Sequence, residues 1–515
     1  MRLLNSDEMK QVEQYTAKYG LSYQRMMENA GAACARNIRN IIEKDSVRRR
    51  NAVIVCGKGN NGGDGFVVAR KLSENGYNVC VIMASEYPKS QEAIYMYKMV
   101  IDLAIPMVWY GADKLKAVQT VKNADIIVDA IFGFSFYGTV NDDLTLLINE
   151  MSAAKGIKFA IDVPSGVYCD SGYKDENAFV SDYTIAISAL KPAHIIHPAS
   201  DCCGDIIIAN IGIPEDSYNF INSTMYTYSK TEVANLFPHR DPVSHKGDYG
   251  HVLSVCGSKT MVGAPVLAAK AALRSGVGLV TAAFPESIYY PMTFKLTESL
   301  FMPLKETIDG TLSRECIPEL IEKMPKYTAI LFGCGVGVND DTTAVLEAIL
   351  QNAKVPVIID ADGINILAKN PEMLKSATAP VILTPHPKEM SRLTGIPVSL
   401  IQSDRMKTAR TFAAESQAYI VLKGTNTVVA SPDSEKIYIN TSGNTGLAKG
   451  GSGDVLAGII AALAAQGFGP SEAATVGVYI HGHCADTAAD RLSQTGMLPS
   501  DVIDELATVF SEFEN

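Results

Sequence analysis

No stretch of this sequence is apolar for long enough to cross a membrane. The longest uninterrupted apolar run, Val455 to Ala465, falls far short of the roughly 18–20 residues a spanning helix needs. The ten cysteines lack paired metal-type spacing, and Cys202 and Cys203 are adjacent. Reduced thiols in a cytoplasmic protein are therefore expected. Positive charge is also short: 45 Lys and Arg against 56 Asp and Glu give a net charge of −11, which argues against a general nucleic-acid surface. Any anionic ligand must then be held by helix termini and single lysines. The triplet Arg48-Arg49-Arg50 reads as a solvated turn before a strand. Asp7 and Glu8 come too early for a secretory leader. There is no low-complexity tract and no short repeat.

What is present is the rhythm of α/β domains. At 515 residues the chain exceeds one ordinary core, and two or three domains are expected. In the first half, Ala52–Cys56, Asn78–Met83, Ala124–Asp129, Lys158–Asp162 and Tyr183–Ile187 are short β-branched runs with helical patterns between them. They predict a parallel sheet covered on both faces, with ligands beyond the carboxyl ends of its strands. Strand signals fade near Ile213, and residues 216–245 read as a connector containing Pro238 and Pro242. A second α/β domain starts with Gly250–Gly257 and continues through Ala329–Gly333, Val357–Asp360, Val381–Thr384 and Tyr419–Lys423. It ends in helix-rich sequence.

Gly57-Lys58-Gly59-Asn60-Asn61-Gly62 matches G-x-G-x-x-G directly after a strand, which alone predicts a dinucleotide fold. The acid usually found about 20 residues later, on the ribose hydroxyls, is missing, since Val79–Met83 is apolar. The loop also carries Asn60, Asn61 and Asp64 around Gly62-Gly63, oxygens that suit a hard cation or a ring-bearing substrate. Asp129 closes another strand before the loop Gly133-Phe134-Ser135-Phe136-Tyr137-Gly138-Thr139, and Asp162 precedes Val163-Pro164-Ser165-Gly166. Asn61, Asp129 and Ser165 together can coordinate a monovalent cation, and Asp162 can move a proton. The alternative is that each acid caps the following turn or helix.

Asn60–Asp64, Asp129–Gly133 and Asp162–Gly166, in that order, resemble the signature of the NAD(P)H-hydrate epimerases across residues 1–215. The resemblance implies a Rossmann-like three-layer α/β/α domain that interconverts the R and S forms of hydrated NAD(P)H. Potassium is implied at Asn61, Asp129 and Ser165. Substrate is implied at residues 60–64, at residues 133–139 and at Asp162, the catalytic residue.

In the second half, Lys449-Gly450-Gly451-Ser452-Gly453-Asp454 runs into Val455–Leu463. Glycines let successive N–H groups converge, and the helix behind them adds partial positive charge, making a nest for a phosphoryl group or oxyanion. Asp454 cannot neutralise an anion, so it reads as a proton-transfer group; an N-cap is the alternative. The nest resembles the anion hole of the ribokinase-like superfamily. By that resemblance, Glu389 in Thr384-Pro385-His386-Pro387-Lys388-Glu389 orients magnesium-bound water, with His386 replacing an asparagine. Lys423-Gly424-Thr425-Asn426-Thr427 follows a strand and can hold nucleotide phosphates. Asp360 and Asp362 end another strand, as metal ligands or as caps.

Gly263-Ala264, Gly333–Gly337, the His386 segment, Lys423–Thr427 and Gly453-Asp454 fall in the order of the NAD(P)H-hydrate dehydratases, with Cys334 where proline is common. The resemblance covers residues 225–510 and implies a ribokinase-like domain at 246–515. The hydrate would contact Ala264, Gly337, His386 and the catalytic Asp454. ADP would lie on Lys423, Gly424, Thr425, Asn426, Thr427 and Gly453. Fused domains imply ADP as co-substrate and a cytoplasmic enzyme acting on NAD(P)H hydrates, assembled as a homo-oligomer. Two other readings stay open here: a small-molecule kinase, and a first half that is only an interaction module.

Overall fold

The computed structural model describes residues 2–44, 50–221, 223–237 and 239–514. Arg48, Arg49 and Pro238, used in the sequence reading, lie outside them. The chain divides into two compact units, with the boundary between Thr224 and Met225.

In the first unit, β1 (Asn51–Cys56), β2 (Asn78–Met83), β3 (Met107–Trp109), β4 (Ile126–Ala130), β5 (Ile157–Ile161), β6 (Tyr183–Ile187) and β7 (Asp205–Ala209) form a seven-stranded sheet. Its order is β3-β2-β1-β4-β5-β6-β7, parallel throughout. Successive strand residues point to opposite faces. Ile54 and Cys56 thus join one core with Met27, Phe66 and Val67, while Val53 and Val55 join another with Ala117, Leu147 and Ile148. That alternation places helices on both faces and gives the three α/β/α layers. Strand order reverses between β1 and β4, so a crevice opens beyond their carboxyl ends.

Helices α1 (Ser6–Lys18), α2 (Tyr23–Ile42) and α3 (Asn60–Glu74) border this crevice. The sequence suggests a polar loop at Asn60, Asn61 and Asp64. The structure instead places them in the first turns of α3, with Gly59 as N-cap. The cause is a close backbone approach: a Cβ on Gly62 would lie 2.0 Å from the Gly57 carbonyl oxygen. Only glycine allows the turn to fold back this tightly and enter the helix at once.

The second unit contains β8 (Met225–Tyr226), β9 (His251–Val255), β10 (Leu279–Pro285), β11 (Leu300–Leu304), β12 (Ala329–Phe332), β13 (Val357–Ile359), β14 (Val381–Leu383), β15 (Tyr419–Leu422), β16 (Val428–Ser431) and β17 (Ser434–Ile439). Their order is β8-β17-β16-β15-β14-β13-β12-β9-β10-β11. From β11 to β15 neighbouring strands are parallel, and β16 is antiparallel to β15 and β17. Within the stretch read as a connector, β8 pairs with β17, so residues from 225 onward are built into this unit. Strand order reverses between β9 and β12, again opening a crevice. The helices used below are α4 (Gly263–Arg274), α5 (Asp362–Lys369), α6 (Pro387–Thr394), α7 (Arg405–Ser416), α8 (Ser452–Ala465) and α9 (Pro470–Gly496). The apolar run forms α8, buried from Val455 to Ala465 between α4 and α9, as expected of a helix that is apolar all round. No helix among the described residues is long and apolar enough to cross a membrane.

Candidate active sites

Beyond the ends of β1, β4 and β5 the first unit encloses a cavity of about 570 Å³. Asn60, Asn61, Asp64, Gly133, Phe134, Ser135, Phe136 and Asp162 line it. Gly62 and Gly63 are instead packed inward, against Gly57 and Met27. Tyr137, Gly138 and Thr139 lie off its wall. The Tyr137 hydroxyl donates to Asp170 (2.8 Å), and the Gly138 carbonyl accepts from the Tyr168 hydroxyl (2.6 Å).

Asn61, Asp129 and Ser165 are joined by one chain of hydrogen bonds. Asn61 Nδ2 donates to the Phe132 carbonyl (2.8 Å), and the Phe132 N–H donates to Ser165 Oγ (2.9 Å). The Ser165 hydroxyl and N–H both donate to the Asp129 carboxylate, each at 2.7 Å. Asn61 Oδ1 is buried without a partner, an exception that calls for an ion, water or ligand. Burial pushes the Asp129 carboxyl up to about 6, against the pull of the Ser165 and Ile131 donors.

Asp162 is buried and holds a left-handed backbone (φ 67°), a conformation rare for residues with a Cβ and often found at functional sites. Its Oδ1 accepts from Lys191 Nζ (2.5 Å) and from the Ile187 N–H (3.1 Å). His194 Nδ1 accepts from the Lys191 N–H (3.0 Å), so its Nε2 carries the proton and donates to the Asp162 carbonyl (2.6 Å). Burial, then the Lys191 charge, push the His194 ring down to about 4, keeping it neutral. The sequence reading found Asp162 but missed Lys191, His194 and Glu13. Lys191 and His194 reach Asp162 only through the fold. Glu13 sits on α1, on the cavity wall, and only its helical position could have hinted at it.

In the second unit, Gly451 takes φ 100° as the N-cap of α8, and no side chain caps that helix. Asp454 therefore lies in the first turn and does not cap, which removes the bland reading of the motif. Ligand atoms of Cys334, Asp360 and Asp454 all lie within 4.8 Å of one another. Lys423 Nζ bonds Asp360 Oδ1 (2.6 Å) and stands 3.9 Å from Glu389. A Cβ on Gly453 would lie 3.2 Å from Asp360 and 3.3 Å from Lys423 Nζ, so the nest backbone abuts this pair. Burial, then the charge of Asp360, push the Asp454 carboxyl up to about 6, while the Cys334 thiol bonds to it and pulls the other way. Asp360 thus acts as a partner to Lys423 and not as a cap. Asp362 opens α5 and accepts from the Gly337 N–H (2.9 Å).

His386 and Glu389 cap α6 reciprocally. His386 Nδ1 accepts from the N–H groups of Lys388 and Glu389, each at 3.1 Å, and Glu389 accepts from the His386 N–H (2.8 Å). His386 Nε2 then faces Glu389 Oε1 at 3.3 Å. Burial raises the Glu389 carboxyl to about 7 and lowers the His386 ring from its usual range. Ala264 begins α4 beside Gly335, where an added Cβ would approach its own Cβ to 3.2 Å. The segment 423–427 is braced by Arg405 of α7, absent from the sequence reading, which donates to the carbonyls of Leu422 (2.8 Å) and Thr425. Thr427 Oγ1 donates to the Gly424 carbonyl (3.1 Å).

Comparison with known proteins bears on both units. Residues 252–508 match the family model described as NAD(P)H-hydrate dehydratase, and residues 23–193 match that of the YjeF-related protein N-terminus. A bifunctional NAD(P)H-hydrate repair enzyme of Moorella thermoacetica is 36% identical over 100% of this chain and 97% of its own length. The chain belongs to the bifunctional NAD(P)H-hydrate repair enzymes. The Escherichia coli member of that family is 31% identical over 98% of this chain and 93% of its own. Among solved structures, an ADP/ATP-dependent NAD(P)H-hydrate dehydratase from Bacillus subtilis, co-crystallised with ATP and Mg²⁺, is 33% identical; it covers 55% of this chain and 97% of its own, with a TM-score of 0.49.

Proposed function

We propose that residues 1–215 interconvert the R and S forms of hydrated NAD(P)H. Residues 246–515 dehydrate the S form with ADP, releasing AMP and phosphate. One observation carries the second half of this reading: Asp454 stands in the first turn of α8, beside the glycine nest and the Asp360–Lys423 pair.

Hydroxide is a poor leaving group, so the C6 hydroxyl of the hydrate must first be phosphorylated. Asp454 takes the proton of that hydroxyl as it attacks. The N–H groups of the nest and the start of α8 stabilise the phosphoryl group in transit. Loss of phosphate then restores the dihydropyridine. Ala264, Gly337, His386 and Asp454 hold the hydrate; Lys423–Thr427 and Gly453 hold ADP. Because a pocket of this kind accepts one epimer, the epimerase makes the rest of the damaged pool accessible, with Asp162 as its proton-transfer group.

Both proposed ions fit their residues. The orphaned Asn61 Oδ1, the buried Asp129 carboxylate and Ser165 offer hard oxygens to potassium. Glu389, buried beside Lys423, would hold magnesium through water, and the ion would supply charge neutralisation to nucleotide phosphates.

The test is incubation with hydrated NADH and either ADP or ATP, with and without potassium. Recovery of NADH absorbance with AMP and phosphate supports the reading. A stable phosphorylated alcohol would mean a small-molecule kinase, and an unchanged epimer ratio without nucleotide would remove the epimerase.

A further inference from the structure

We propose that Glu13 is the second proton-transfer group of the epimerase cavity, working on the C6 hydroxyl from an element other than the one that carries Asp162. The inference rests on the epimerase reading above. Inversion of C6 through an iminium breaks the C–O bond on one face and forms a new one on the other. That needs an acid for the departing oxygen and a base for the arriving water. Asp162, its Oδ1 fixed by Lys191 Nζ at 2.5 Å, takes the second role in the direction written below. Glu13 lines the same cavity from α1, and among the described residues nothing is bonded to its carboxyl group.

Burial, then the negative charge of Asp162, push Glu13 up to about 7, against the pull of Lys191 and of Lys10 on its own helix. Tyr23 of α2 and Asp64 of α3 in turn feel its charge. Both its forms are therefore populated near neutrality, as an acid–base catalyst requires.

The steps balance. Glu13 gives its proton to the C6 hydroxyl, which leaves as water while the N1 lone pair forms the N1=C6 iminium. A water on the opposite face adds to C6 and loses its proton to Asp162. Exchange of one proton with solvent at each carboxyl group resets the site, and the reverse direction swaps the two roles.

The experiment measures epimer exchange of hydrated NADH without nucleotide in the full-length protein and in its Glu13→Gln and Glu13→Asp variants, with the melting transition of the first unit as the check on folding. We expect Glu13→Gln to lower the exchange kcat at least about 100-fold with little change in KM. Glu13→Asp should recover part of the rate. The wild-type pH limb near 7 should vanish in Glu13→Gln, and each inversion in H₂¹⁸O should introduce one ¹⁸O at C6. Wild-type exchange in Glu13→Gln, or inversion without ¹⁸O, overturns the inference alone. Absence of exchange in the wild type removes the epimerase reading and the inference with it.

Discussion

Lys191 Nζ lies 2.5 Å from Asp162 Oδ1, and both side chains are almost wholly buried, at 1% and 5% exposure. Removing one member of such a pair strands the other's charge in a low-dielectric interior, at a cost of roughly 3–5 kcal/mol. Lys191→Met should therefore destabilise the first unit by about that much and stop epimer exchange. Adding Asp162→Asn should restore part of the stability but none of the exchange. Hydrogen exchange of strand β6, whose Ile187 bonds to both side chains, reads the stability locally. A double variant no more stable than Lys191→Met would show that the pair's charges do not govern the fold there.

The sequence exposes whatever is encoded locally. The runs at β1, β2 and β6 are continuous and β-branched, and glycines mark the tight backbone approaches, so the first unit's crevice and the nest at Asp454 are legible. Residues joined only by tertiary structure left no such trace: Lys191 lies 29 positions from Asp162, and Arg405 lies 17 from the carbonyl of Leu422. Strands near the sheet's margins are also obscure. Pro303 interrupts β11, which is tolerated because that strand closes the sheet, and Ser434, Glu435 and Lys436 of β17 are exposed, hiding any apolar pattern. The loop at 133–139 was read as one substrate segment, but its second half turns away because Tyr137 bonds Asp170.

The carboxyl group of Asp454 sits at about 6, and its assigned role needs the ionised form. Dehydratase turnover should accordingly fall as pH drops through about 6 and level off above it. Asp454→Asn should lose roughly 10²–10⁴-fold in kcat while epimer exchange continues. NADH absorbance follows the first activity and chromatography of the epimers the second. Nucleotide-driven recovery at the wild-type rate in Asp454→Asn would rule out the carboxylate as base.

Arg405 is half-buried, its guanidinium lowered to about 10 by desolvation, and it ties Leu422 to Thr425 through their carbonyls. Arg405→Lys keeps charge but cannot span both carbonyls with a planar fork. If the 423–427 segment holds ADP, its KM for ADP should rise about tenfold or more, with epimer exchange unaffected. Initial rates across ADP concentrations decide. An unchanged KM would mean that this segment does not depend on the clamp.

Asn61 Oδ1 is the buried oxygen left without a partner beside Asp129 and Ser165. An ion that binds only the folded first unit stabilises it in proportion to RT ln(1 + [L]/Kd). Potassium at 100 times its dissociation constant should then add roughly 2.7 kcal/mol, raising the melting temperature of that unit and the epimer exchange rate together. Asn61→Leu removes the oxygen and, with it, the Nδ2 bond to Phe132. The variant should melt lower in every salt, but its transition should no longer move with potassium. Asp129→Asn tests the charge at the same site: its amide nitrogen would face a Ser165 or Ile131 donor, so it too should melt lower, and its potassium response should weaken. Differential scanning calorimetry in matched potassium and tetramethylammonium salts separates ion binding from ionic strength. Equal melting points in the two salts for the wild type would leave the orphaned oxygen to a water molecule.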